Sequence, residues 1–230
     1  MAKKKSTQAP EQLEAFESAL TRSERFIEDN QKILSTLVLV ILGAVAIFLG
    51  VKRFYIKPLQ EEALSQMFVA EQYFEADSFN LALMGDGSNY GFLDIIDEYG
   101  ITKSGNLARY YTGISYLHLE DYEEAIRYLK KYKPKDKLVG AVSYGAMGDA
   151  YWELQETGKA IENYLKAAEY KKNDFTTPMY LLKAGYAYES LGEFEKALKL
   201  YERIKKEYPE STEGRNIDKN ITKVEMLRNQ

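Results

Sequence analysis

The 230-residue chain has no cysteine, one histidine, one tryptophan and five prolines. Without cysteine there is no disulfide, no thiolate metal site, no cysteine nucleophile and no lipidated Cys. The single histidine, His118, has no second His or Cys to share a metal with. No GxSxG, HExxH or Walker-type loop occurs. Gly85-Asp86-Gly87 reads as a tight turn in preference to a metal or phosphate loop. These absences point away from an enzyme, from any cofactor and from a small-molecule substrate. Positive charge is also in deficit over most of the chain: residues 58–230 carry 22 Lys/Arg against 29 Asp/Glu, a net of −7. An acidic domain is a poor polyanion binder, which excludes nucleic acid as the expected partner. Asn220-Ile-Thr222 matches a glycosylation sequon but falls within a predicted helix.

What is abundant is apolar and aromatic: 45% hydrophobic residues, with 19 Tyr and 10 Phe. The most concentrated stretch is 33–51, ILSTLVLVILGAVAIFLGV, bounded by Lys32 and by Lys52-Arg53. Nineteen residues at about 1.5 Å each make a helix of roughly 28 Å, close to the hydrocarbon thickness of a bilayer. Thirteen are Leu, Ile, Val or Phe, which favour insertion by roughly 4–8 kcal/mol. A cleaved signal peptide does not fit, because a charged 32-residue stretch precedes the run and KRFYIKPL follows it. The expectation is a single transmembrane helix at 33–51. Ahead of it lies a cytoplasmic tail at 1–32, in which Leu13, Phe16, Leu20 and Ile27 mark a short amphipathic helix. Six Lys/Arg before the run against three after it favour a cytoplasmic N-terminus. Gly43, Ala46 and Gly50 share one face, where another membrane helix can approach closely; ordinary lipid-facing composition explains them equally well.

Beyond residue 58 the chain repeats itself. Gly113-Ile-Ser-Tyr116 is followed by Ala125-Ile126, Gly148-Asp-Ala-Tyr151 by Ala160-Ile161, and Gly185-Tyr-Ala-Tyr188 by Ala197-Leu198. The Gly-to-Ala offset is 12 each time, and the period is 35 and then 37. Two antiparallel helices cross closely where Gly or Ala faces Ala, and bulkier Tyr and Leu fill the flanking holes. This pattern resembles the tetratricopeptide repeat (TPR), which implies an all-α solenoid of about four helix pairs. Expected repeats are about 58–101, 106–139, 141–174 and 178–211, with a capping helix at 212–229, all within a domain at 58–230. The first repeat is degenerate, and 77–91 reads as an insertion rich in turn residues.

The resemblance also implies an inner groove. Its candidate partner-binding residues are Tyr111, Ile114, His118, Trp152, Met179, Lys183 and Tyr186, alongside such neighbours as Tyr110, Asp149 and Glu189. The surface is mostly apolar and aromatic; only Lys183 suggests a carboxylate clamp. Some rings are expected to pack between repeats, and the others to suit an extended apolar segment or a helix.

Arg25-Phe-Ile-Glu-Asp-Asn-Gln-Lys32-Ile-Leu before the apolar run, a short basic stretch and TPRs after it resemble the YfgM family of ancillary SecYEG translocon subunits. That resemblance implies an inner-membrane protein with a periplasmic TPR domain. Its implied partners are translocon subunits, a PpiD-like membrane-anchored chaperone, nascent secreted chains and membrane lipid. Two alternatives stay open: a structural TPR subunit of another envelope, division or secretion complex, and an adaptor with inverted topology.

Overall fold

A computed structural model of the chain describes residues 26–229, all of whose regular structure is helical. Of the amphipathic helix expected in the tail, Leu13, Phe16 and Leu20 lie outside the described residues. The chain divides into two units, Met1–Lys57 and Pro58–Gln230.

In the first unit, helix α1 (Gln31–Val51) has no buried residue. Its large side chains point outward, with Leu39 68% and Ile47 70% exposed. It is long and apolar enough to cross a membrane. A π-helical turn, Lys52–Ile56, follows and carries the basic pair Lys52 and Arg53.

The second unit is a TPR-like solenoid. It begins with α2 (Lys57–Glu75), whose buried face is Ala63, Met67 and Ala70. The 77–91 segment contributes a short helix, α3 (Phe79–Met84), before α4 (Phe92–Tyr99). Three helix pairs follow: α5 (Lys103–His118) with α6 (Tyr122–Lys131), α7 (Lys137–Glu153) with α8 (Thr157–Glu169), and α9 (Thr176–Ser190) with α10 (Phe194–Glu207). The last helix, α11 (Asp218–Arg228), covers α10 with Val224, and Ile217 just ahead of it is also buried. A terminal helix of this kind hides the apolar face that a further repeat would otherwise cover.

Within each pair a glycine on the first helix lets a side chain of the second sit against its backbone. A methyl placed at Gly113 would lie 2.5 Å from the Leu129 side chain, at Gly148 2.5 Å from the Tyr164 ring, and at Gly185 2.2 Å from the Tyr201 ring. Tyr201 is fully buried and Tyr164 nearly so. A buried phenol needs a hydrogen-bond acceptor. Tyr164 donates to Asp149 Oδ1 at 2.7 Å and Tyr201 to Glu189 Oε1 at 2.6 Å. Burial first, and the facing carboxylate second, push both phenols well above the ordinary tyrosine value.

Local chemistry sets the helix starts. Thr102, Asp121 and Asp136 accept backbone N–H bonds at the first turns of α5, α6 and α7. In the 77–91 segment, Gly85 has φ +73, and a Cβ there would meet the Asn89 carbonyl oxygen at 2.1 Å. Asp86 ties this turn together by accepting from the Ser88 and Asn89 backbone N–H groups, the Asn89 amide and the Tyr73 hydroxyl, all at 2.7–2.9 Å. The Asn89 amide, then the Tyr73 hydroxyl and the two backbone donors hold its carboxyl well below the usual range. A carboxyl lowered in the folded state stabilises it fully above the unfolded value, about 3.9. That stabilisation is lost as pH falls through the lower folded value. The Ser88 and Asn89 amide NMR shifts are therefore expected to hold from neutrality down to about pH 4. Titration of those shifts near pH 5 to 6 would refute the assignment.

Candidate functional site

The first helices α5, α7 and α9 lie side by side, so one face of the stack is built from their outward residues. Its seven candidate residues take different positions. Ile114 is 9% exposed and packs with Leu129, Ala146 and Met147. Tyr111 stacks on Phe92 at 5.0 Å and meets Phe74 edge-on at 5.0 Å. Burial pushes the phenol of its neighbour Tyr110 up to about 12. His118 is exposed at its edge but stacks flat on Phe79 of α3, centroids 4.4 Å apart. The 77–91 segment therefore folds back on α5 and occupies part of the first repeat's own surface.

The open part of the face belongs to α7 and α9. Trp152 is 38% and Tyr186 44% exposed, large values for rings on a packed helix. Met179, in the first turn of α9, is half-buried against the core. Lys183 is not free: its ammonium donates to both Asp149 oxygens at 2.7 and 2.8 Å and lies over the Tyr164 and Tyr180 rings. Asp149 thus receives a phenol from its own repeat and an ammonium from the next. Glu189 does the same with Tyr201 and Lys223. This carboxylate–phenol–ammonium set consumes the charge that a carboxylate clamp would need. What remains to meet a partner is chiefly indole, phenol ring and aliphatic surface.

Sequence reasoning did not pair Asp149 or Glu189 with these groups. A signal was present, because each carboxylate and its lysine are 34 residues apart. Among the described residues, no group of three or more His, Asp or Glu side chains is placed to hold a metal.

In the first unit, methyls built at Gly43 and Gly50 meet nothing within 4 Å, and Ala46 is exposed on the same helix.

Comparison with known proteins agrees with this geometry. Two models described as tetratricopeptide repeat match, one at residues 107–133 and 180–211 and the other at 141–174. The chain is 36% identical over 116 residues to an uncharacterized protein of Aquifex aeolicus (strain VF5), a match covering 50% of this chain and 54% of that protein. The chain thus spans about half the length of that curated relative. A crystal structure of a Podosopora anserina protein, described as a kinesin light chain with nearly identical TPR-like repeats, superposes with a TM-score of 0.55 at 13% identity. That match covers 74% of this chain and 88% of the other. The chain therefore carries tetratricopeptide repeats, a fold used for binding other proteins.

Proposed function

We propose that the chain is a membrane-tethered protein-interaction scaffold, and that it serves as an accessory subunit of the Sec translocon. In this reading α1 spans the inner membrane and the repeats stand in the periplasm, where they hand emerging secreted proteins to chaperones. The observation that carries the scaffold reading is the α7–α9 face, where Trp152 and Tyr186 stay exposed while the neighbouring charges neutralise each other. Exposed aromatic rings on rigid helices are what a hot spot for an apolar segment requires. The translocon reading is supported by the resemblance around 25–34 and by the apolar helix that precedes the repeats. On it, the Gly43/Ala46/Gly50 face receives a translocon or chaperone helix.

Copurification of the tagged full-length chain in mild detergent tests this. Translocon subunits and a membrane-anchored chaperone are the expected companions. Trp152→Ala combined with Tyr186→Ala is expected to weaken the groove-bound partner about 30-fold while leaving the helical circular-dichroism signal unchanged. A single stoichiometric partner without Sec components would replace the translocon reading with that of a structural subunit of another envelope assembly. A reporter fused after Gln230 decides the topology.

A further inference from the structure

A second surface of the repeat unit has the opposite chemistry. A cleft of about 900 Å³ opens between the start of α5 and the 132–136 turn that leads into α7. Lys103, Arg109, Lys130, Lys131, Lys133 and Lys135 line it, with Asp136 as the single carboxylate. Asp136 is committed to the Leu138 and Val139 N–H groups. Arg109 donates to the Gly100 and Gly105 carbonyls. Lys103, Lys133 and Lys135, gathered in this one cleft, form no side-chain ion pair among the described residues. Lys171 brings a further ammonium to the Lys135 carbonyl at 2.5 Å. Concentrated unpaired positive charge in a domain of net charge −7 calls for an anion.

Two further features narrow the anion's form. The first backbone N–H groups of α5, which would cradle a single fixed phosphate, are already taken. Those of Lys103 and Ser104 donate to Gln60 Oε1 at 2.6 and 3.1 Å, and that of Gly105 to Thr102 Oγ1 at 3.0 Å. What remains is ammonium groups on long, many-rotamer stems, and they suit many loosely placed phosphates better than one. In the same lining Ile101 is 64% exposed at a loop tip, flanked by these lysines. A soluble anion gives an exposed isoleucine nothing to do, whereas a bilayer interface takes both the side chain and the surrounding charge. Gln60 itself lies nine residues after Val51, where the apolar run ends. That segment reaches about 30 Å even fully extended.

We infer that this cleft is a docking site for the phosphate headgroups of anionic lipids, with Ile101 entering the interface beside them. The inference rests on the reading of α1 as a membrane span, and it assigns the repeat unit a second, salt-sensitive hold on the bilayer.

The full-length chain is reconstituted into vesicles of phosphatidylcholine, or of phosphatidylcholine with phosphatidylglycerol. It is then labelled with a membrane-impermeant lysine-acetylating reagent and read by mass spectrometry. Lys103, Lys133 and Lys135 are expected to react about fivefold more slowly on the anionic vesicles, while Lys196 and Lys223 react equally on both. Protection is expected to vanish at about 1 M salt, where the Debye length is about 3 Å, and to weaken in Ile101→Ser. Flotation of each sample separates the two possible failures. A chain that floats with both vesicles but shows equal lysine reactivity overturns the lipid site alone. A chain that floats with neither overturns the membrane span and this inference with it. Protection on neutral vesicles by inorganic phosphate or polyglutamate, matching that of anionic lipid, would assign the cleft to a soluble anion or acidic peptide instead.

Discussion

Tyr201→Ala is expected to destabilise the repeat unit by about 4 kcal/mol, the cost of emptying an aromatic site in a core that cannot collapse around it. The ring is fully buried, sits on the Gly185 backbone and touches the half-exposed Tyr186 edge-on at 6.3 Å. Its hydroxyl holds Glu189, which in turn holds Lys223 of the terminal helix. Tyr201→Phe keeps the volume and leaves Glu189 its lysine, so about 1.5 kcal/mol is expected for the lost bond to a charged acceptor. Urea denaturation followed by circular dichroism measures both. The loss is local, because each unit of a solenoid touches only its neighbours. Hydrogen exchange should therefore quicken in α9, α10 and α11 well before α5. An alanine variant within about 1.5 kcal/mol of wild type would show that this ring does not organise the last repeat.

The second large effect is expected at Gly145, between successive repeats. A Cβ there would lie 2.0 Å from a Tyr180 ring carbon and 2.4 Å from its hydroxyl oxygen, and Tyr180 is 4% exposed. Since α7 and α9 meet along this line, a larger residue must part the two helices or expel the ring. Gly145→Val is expected to cost about 3 kcal/mol by overpacking. The same crowding predicts non-additivity: in a Tyr180→Leu background the valine should cost less than half as much. Four denaturation curves complete the cycle, and strictly additive costs would place the conflict elsewhere.

Much of this architecture could be read directly from residue spacing. The 12-residue interval from Gly113 to Ala125, repeated twice, encodes the close crossing within each pair, and the structure places those glycines under Leu129, Tyr164 and Tyr201. The stripes Ala63-Met67-Ala70 and Ile217-Val224 likewise face the core. The face on α7 and α9 was legible only as a set of candidates. Periodicity marks Ile114 and Tyr186 as equivalent, each one residue after its repeat's glycine, yet one is 9% and the other 44% exposed. The difference depends on which neighbouring helix reaches each position, and a single helix's pattern does not contain that. The fold-back of α3 was hidden for the same reason, since the Phe79–His118 stack joins residues 39 apart in sequence. The basic cleft escaped because its cations are spread over 103–135 and a net acidic composition averages them away.

The three ion pairs Asp149–Lys183, Glu169–Arg203 and Glu189–Lys223 all span 34 residues. The α7–α8 module thus carries two acids addressed to bases of the α9–α10 module, which carries one addressed to the terminal helix. Charge is matched across the last two joints of the array, and a module inserted at either would part an acid from its base.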